Sequence, residues 1–371
     1  MSKTITVSVI SELTTDQRVI RICNTLQQMG FTVHVIAREL SNSLPLGNYN
    51  FSAERIRCHF KKGFLQYAEF NTKLFFKLLF HKTDYLLAND LDTLVPNFIA
   101  GKLRNKKIFY DSHEYFTGVP ELQHAHFKRK VWKFFEDRIF PKLPVVYTVN
   151  NSIKELYQKE YGNKNIGVIR NVPATIPFTP KSLPQKWKGK IILLMQGIGM
   201  HAGRGAAELV EMMQFLPANY HLVFIGGGLA WDSLLQKIKE LHLTDRVEMI
   251  PKVPPHELRA YTSLAHLGFS LDKPVSINYE FSLPNKIFDY IHGGIPVAAT
   301  PVVEVKNIIE QYRCGFCFNT NEPEKMAVEV QQLMNDPQKY EQLKQNAVNA
   351  ATVLNWENEQ QKLIDIYRPF L

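Results

Sequence analysis

The chain has 371 residues, 45% of them hydrophobic, which is enough for two domains of ordinary size with separate cores. No run of about 18 apolar residues exists and Met-Ser-Lys-Thr leads straight into a strand pattern, so the sequence offers neither a membrane span nor a secretory signal and predicts a cytoplasmic protein. The formal net charge of +9 asks for an anionic partner, which charge alone leaves open between nucleic acid, nucleotide phosphate and an anionic membrane face.

Taken in chain order, apolar strand-like runs at 4–10, 32–37, 85–88, 107–110, 145–149 and 167–169 alternate with helical patterns, which predicts a parallel α/β sheet. A stretch rich in Pro and Lys then breaks the periodicity. The alternation resumes at 191–195, 221–225, 247–250, 267–271, 297–299 and 316–318. The expected organisation is a first Rossmann-like domain over 1–172, a linker over 173–189, a second Rossmann-like domain over 190–355 and a last helix over 356–371. Open sheets of this kind bind ligands beyond the carboxyl ends of their strands, so two facing domains place their sites in one cleft.

The segment Ser282-Leu283-Pro284-Asn285-Lys286-Ile287-Phe288-Asp289-Tyr290, closed by Gly293-Gly294, combines a helix start with a helix stop. Free N–H groups in the first helical turn favour an anion, Lys286 adds a positive charge, and Asp289 follows three residues on. A diphosphate and an adjoining sugar ring suit that arrangement. The alternative is an ordinary buried helix between two strands. Upstream, Gln196-Gly197-Ile198-Gly199-Met200-His201-Ala202-Gly203-Arg204-Gly205 lies between a strand and a helix. Glycines let backbone approach phosphate oxygens and Arg204 offers a charged fork; a flexible turn with a surface Arg is the plainer account. Gly226-Gly227-Gly228 lacks the Gly-x-Gly-x-x-Gly spacing, and the first strand leads into 11–16 without a glycine, so a nicotinamide cofactor is not expected.

Asp111-Ser112-His113-Glu114 follows the 107–110 strand. A neutral imidazole at His113 would orient a sugar hydroxyl and help stabilise developing positive charge, whereas a structural His would close a turn. Glu114 is either a proton acceptor or a solvated or capping carboxylate. Asp90-Leu91-Asp92 has the look of a metal signature, but Asp92 before an apolar helix reads as an N-cap, and no metal is expected. Cys314 and Cys317 read as packing residues of a short strand, since Cys23 and Cys58 are not at ligand spacing.

The Leu-Pro-Asn-Lys segment with Asp289 resembles the donor-nucleotide motif of family 4 glycosyltransferases, especially the bacterial surface-polysaccharide branch, and the resemblance runs over almost the whole chain. It implies the GT-B fold, an α/β architecture of two Rossmann-like doubly wound domains facing across a cleft, with the C-terminal helix crossing back to the first domain. It implies a nucleotide diphosphate sugar as donor substrate and no separate cofactor. Gly197, Gly199, Arg204, Pro284, Asn285, Lys286 and Asp289 would bind this donor, with Asp289 on the ribose hydroxyls. His113, Arg204 and Lys286 would form the catalytic set, and Thr14, Thr15 and Asp16, with Glu114, would lie on the acceptor side. Two departures stand out: Phe281 occupies the position of the family's first acidic residue, with Glu280 one place off, and Gly199 stands where an Arg is common.

The activity implied is retaining transfer of a hexose-type sugar to an acceptor hydroxyl in capsular, lipopolysaccharide or exopolysaccharide assembly. The alternatives are a catalytically silent nucleotide-binding or scaffold protein, an epimerase, or an inverting transferase. Basic-aromatic segments at 61–82 and 126–142 suit an anionic membrane surface on the inner face of the plasma membrane and a lipid-linked glycan acceptor; ordinary amphipathic helices are the alternative. No nucleic-acid motif is present.

Overall fold

The computed structural model describes residues 2–41, 43–123, 125–162, 165–175, 181–197, 200 and 203–371. The chain divides into one unit comprising Met1–Asn171 and Asn358–Leu371 and a second comprising Val172–Glu357.

The first unit holds strands β1 (Thr4–Val9), β2 (Thr32–Glu39), β3 (Ser52–Arg57), β4 (Tyr85–Asn89), β5 (Lys107–Ser112), β6 (Val145–Thr148) and β7 (Ile166–Val168). They form an all-parallel sheet in the order β3-β2-β1-β4-β5-β6-β7. Ile5, Val7, Val35, Ile36, Leu86 and Leu87 are fully buried, as expected of strands covered on both faces by helices. The strand order reverses between β1 and β4, which makes the loops after those two strands the natural ligand-facing edge. β3 escapes the periodicity reading because Glu54, Arg55 and Arg57 give it the polar character of an edge strand. The terminal residues Asn358–Leu371 return to this unit. Tyr367 stacks on Phe109 with ring centroids 4.5 Å apart, and Glu359 accepts from the backbone N–H of Arg170 at 3.0 Å.

The second unit holds β8 (Ile191–Gly197), β9 (Tyr220–Gly226), β10 (Val247–Pro251), β11 (Leu267–Ser270), β12 (Val297–Ala299) and β13 (Gly315–Cys317), parallel and in the order β10-β9-β8-β11-β12-β13. Here the order reverses between β8 and β11. Two apolar layers flank the sheet, one around Leu209, Met212 and Phe224, the other around Trp187, Phe288 and Tyr290. Val172 and Trp187 are both buried in this second core, so the chain enters the second unit well before its first strand. Trp187 is anchored there by its indole N–H, which donates to Glu248 at 2.9 Å. Cys314 and Cys317 are free thiols.

Candidate functional site

The second unit gathers its polar side chains at the β8/β11 reversal. The helix Asn285–His292 starts there because Pro284, in an extended conformation, cannot continue a preceding helix and sits at the cap position. Ser282 does not cap this helix, since its hydroxyl donates back to Tyr279 O at 2.9 Å. Ile287, Phe288, Tyr290 and Ile291 bury the inner face. Tyr290 lies flat over Gly268, where an added Cβ would come within 2.4 Å of the ring. The helix ends as Gly293 N–H bonds Asp289 O at 2.8 Å and Gly294 takes φ +68°, a left-handed conformation natural to glycine.

Asn285 is exposed at the helix start, and Lys286 and Asp289 lie on its partly accessible side. Their contacts diverge. Lys286 Nζ is 3.7 Å from Asp272 Oδ2, while Asp289 Oδ2 accepts from Gln196 Nε2 at 3.0 Å. Burial pushes the Lys286 ammonium below its ordinary value, with Asp272 raising it and Arg204 lowering it further.

Arg204 is brought to the same carboxylate. Its NH1 donates to Asp272 Oδ1 at 2.7 Å, its NH2 to the Tyr279 hydroxyl at 3.1 Å, and its guanidinium lies 4.6 Å from the Tyr279 ring centroid. Gly205 makes this approach possible: it has φ +77°, and a Cβ there would lie 2.2 Å from that of Leu271. Asp272 is 1% exposed and is further fixed by the Ser270 hydroxyl on Oδ2 at 3.1 Å and the Thr300 hydroxyl on its carbonyl at 2.6 Å. One buried carboxylate thus aligns two cations, leaving a net positive charge beside a helix start. Gly197, at φ +133°, is pressed against Gly226, and its carbonyl accepts from Gly227 N–H at 3.1 Å. Gly199 lies outside the described residues. Glu280 is exposed and Phe281 half-buried.

In the first unit, the two loops at the β1/β4 reversal converge on residues that end β5. Asp90, after β4, has φ +58° and ψ 168°, a conformation that is strained for a residue with a Cβ. Its Oδ1 accepts the backbone N–H of His113 at 2.7 Å and its Oδ2 lies 3.2 Å from His113 Nδ1. The other ring nitrogen, Nε2, lies 3.1 Å from Asp111 Oδ2 and 3.2 Å from Asn89 Oδ1. Arg18, on the helix Gln17–Gln28, grips Asp111 through Nε at 2.9 Å and NH2 at 2.6 Å and donates NH1 to Ile169 O at 2.7 Å.

Burial disfavours the His113 imidazolium, but Asp90 and Asp111 outweigh it and push its pKa up to about 9. The neutral imidazole expected from sequence is therefore replaced by a cation held between two carboxylates. Burial raises Asp111 as well, yet Arg18 and His113 hold its carboxyl below the ordinary value.

One further expectation changes here. Asp92 is not the N-cap: the helix Leu91–Leu103 starts two residues earlier than that cap requires, with Asp90 at the cap position and its carboxylate committed to His113. Asp92 is buried in the first turn, and burial raises its carboxyl well above the usual range, with Asp90 adding to the effect. Among the described residues no cluster of three or more His, Cys, Asp or Glu side chains could hold a metal ion.

Asp16 caps the helix Gln17–Gln28, accepting Val19 N–H at 3.1 Å and the Ser11 hydroxyl at 2.5 Å. Thr14 donates its N–H and hydroxyl to Glu12 at 3.2 and 3.0 Å, and exposed Thr15 donates to the Glu12 carbonyl at 3.2 Å. Glu12 also pairs with Arg55 and Ser43, so this loop is organised around a residue that sequence reasoning passed over. Glu114 is half-buried, and its carbonyl accepts the Ser112 hydroxyl at 2.8 Å. Asp272 and Tyr279 were missed as well, with no motif to mark them, and Gln196, the first residue of the glycine-rich stretch, was given no role, although Gln196 and Asp272 stand at strand ends, where ligands of such sheets bind.

Comparison with known proteins bears on the family and the fold. Residues 16–172 match the model described as Glycosyltransferase Family 4, and residues 181–350 match that of Glycosyl transferases group 1. The chain belongs to the family 4-like glycosyltransferases of the GT-B fold. Within that class it is 25% identical over 202 residues to an uncharacterized glycosyltransferase of Haemophilus influenzae, the match taking in 53% of this chain and 54% of that one, so the chain spans about half the length of this curated relative. Its fold is similar to HepE of Anabaena, solved with UDP-glucose, at TM-score 0.77 and 16% identity over 99% of this chain and 100% of that one. It is similar also to sucrose-phosphate synthase from Thermosynechococcus elongatus, at TM-score 0.80 and 16% identity over 99% of this chain and 98% of that one.

Proposed function

We propose that this protein transfers a hexose-type sugar from a nucleoside diphosphate sugar to an acceptor hydroxyl, with retention and without a metal ion, in the assembly of a bacterial surface polysaccharide. The observation that carries the reading is the alignment of Arg204 and Lys286 on Asp272 beside the start of a helix that also bears Asp289. Those cations and the helix N–H groups would stabilise charge growing on the leaving diphosphate, and Asp289 would hold the ribose. Asn285, Pro284 and the Gly197 and Gly199 loop would close around the phosphates. The departing diphosphate would take the acceptor proton, so no protein base is required. His113 would lie beside the transferring sugar with its positive charge balanced by Asp90 and Asp111, and Thr14, Thr15, Asp16 and Glu114 would face the acceptor. HepE, which shares the fold, was solved with UDP-glucose, which makes UDP the first nucleotide to try.

The assay is release of nucleoside diphosphate from labelled UDP-, GDP- and ADP-sugars, by hydrolysis or by transfer. Turnover of one of them, with retained anomeric configuration in the product, supports the proposal. Nucleotide binding with no release would instead leave a silent binding protein, and an inverted product would remove the retaining mechanism.

A membrane surface is part of the same reading. No helix among the described residues is long and apolar enough to cross a membrane. Phe64 and Phe80 on the helix Gly63–Phe80 are 73% and 80% exposed, and Phe127 on the helix His126–Ile139 is 80% exposed, beside exposed Lys128, Arg129 and Lys130. Phe70 is buried, so the aromatics divide between core and surface. Exposed rings next to basic side chains suit an anionic lipid interface that presents a lipid-linked glycan acceptor. Co-sedimentation with anionic vesicles that declines with salt, and again when Lys128, Arg129 and Lys130 are changed to Glu, supports this. Absence of binding to any vesicle would remove it.

A further inference from the structure

Gln196 stands near the end of β8, at the strand-order reversal, and is 2% exposed. Its amide lies between two groups of fixed demand. Nε2 donates to Asp289 Oδ2 at 3.0 Å, and Oε1 lies 2.7 Å from the hydroxyl of fully buried Thr262. A carboxylate only accepts, so the NH2 side must face Asp289 and Oε1 faces the Thr262 hydroxyl, whose one proton is shared with the Leu258 carbonyl at 2.8 Å. The backbone of the same residue reaches the next position of the helix: Gln196 N–H donates to the Tyr290 hydroxyl at 3.2 Å, and that hydroxyl donates to Phe269 O at 3.0 Å. One residue of β8 thus tethers two consecutive residues of the helix, one by side chain and one by backbone.

We infer that Gln196, its amide braced between Thr262 and the helix, is a positioning residue for the donor nucleotide, holding the Asp289 carboxylate in the rotamer that receives the ribose. This rests on the reading of Asp289 as the ribose-holding residue. The ribose is remote from the bond being broken, so the interaction helps ground state and transition state alike. Loss of the amide raises the KM for the donor and leaves kcat nearly unchanged.

The test is calorimetry with UDP, GDP and ADP, using whichever binds the parent most tightly, on the parent, Gln196→Leu, Gln196→Glu, Asp289→Ala and the double variant Gln196→Leu with Asp289→Ala. Asp289→Ala is expected to weaken binding about ten- to a hundredfold and Gln196→Leu about five- to tenfold, the losses expected for a direct and an indirect hydrogen bond to a charged group. The double variant should bind within about twofold of Asp289→Ala, because the amide acts only through that carboxylate. Gln196→Glu sets two carboxylates together, so its deficit should be large near pH 8 and shrink toward pH 5.5, where a protonated carboxyl can donate as the amide does. A purely structural role would not produce that pH dependence. If Asp289→Ala weakens binding while Gln196→Leu and Gln196→Glu bind like the parent, the inference is overturned and the ribose reading stands. If Asp289→Ala also binds like the parent, or no nucleotide binds at all, the ribose reading itself fails and the inference falls with it.

Discussion

Asp90 grips His113 at two points, taking its backbone N–H on Oδ1 at 2.7 Å and facing its ring Nδ1 with Oδ2 at 3.2 Å. The grip is made from a backbone conformation at φ +58° that a residue with a Cβ rarely adopts, and strain of this kind persists only where the surroundings enforce it. The second ring nitrogen is held by Asp111, which Arg18 fixes in turn. His113 therefore has both its orientation and its charge set by residues that meet only in the fold.

The charge has a measurable consequence for stability. His113 rises from an unfolded value of ~6.5 to about 9 in the fold, so its contribution is fully present below pH ~6.5 and is lost as pH rises through about 9. Denaturant midpoints measured at pH 6 and pH 9.5 should differ more for the parent than for His113→Ala. Equal pH dependence in the two proteins would show that the imidazole is not held as a cation.

Asp90→Asn keeps the size of the side chain and removes its charge. The His113 pKa, followed by NMR, should fall, because one of the two carboxylates that offset burial is gone. Turnover should fall with it if the fixed cation acts on the transferring sugar, and His113→Ala should lower turnover while leaving nucleotide affinity almost intact. An unchanged His113 titration in Asp90→Asn would place the source of the shift elsewhere.

Arg204→Ala and Lys286→Ala should lower turnover by roughly two orders of magnitude or more, the usual effect of removing one electrostatic stabiliser from a developing charge. Nucleoside binding should suffer less. Comparing kcat/KM for the sugar donor with the affinity for the nucleoside separates the two effects. Equal losses in both would make these residues simple binding groups. A chelator should change none of these rates, and strict dependence on a divalent ion would contradict the metal-free mechanism.

Gly205→Ala should destabilise the second unit by about 1–3 kcal/mol or more, because the added Cβ meets Leu271 at 2.2 Å and φ is +77°. Thermal unfolding would show it directly. A variant as stable as the parent would mean that the loop before the helix Ala206–Met212 can be rebuilt without strain.

The two parallel sheets and the helix bearing Lys286 and Asp289 were legible because apolar periodicity and the proline and glycine signals around Pro284 and Gly293 are local properties of the chain. β3 was not, since Glu54, Arg55 and Arg57 hide an edge strand among polar residues. Asp272 carries no motif and Gln196 is only the first residue of a glycine-rich stretch, and their importance comes from contacts with residues 14 and 93 positions away, at Lys286 and Asp289. The charge on His113 was equally hidden. It depends on Asp90 from the end of β4 and Asp111 from β5 being brought against one ring, which no sequence window contains.

The central claim, a donor diphosphate held by Arg204 and Lys286 with its ribose on Asp289, is tested most directly by titrating UDP, GDP and ADP into the parent, Lys286→Ala and Asp289→Ala in the presence of a chelator. One nucleotide should bind the parent without metal and bind Asp289→Ala about 1.5 to 3 kcal/mol more weakly, the contribution of hydrogen bonds to a charged group. Removing the β-phosphate, by titrating the matching monophosphate, should narrow the difference between the parent and Lys286→Ala. Equal affinity of all three proteins for every nucleotide, in folded samples, would contradict the account.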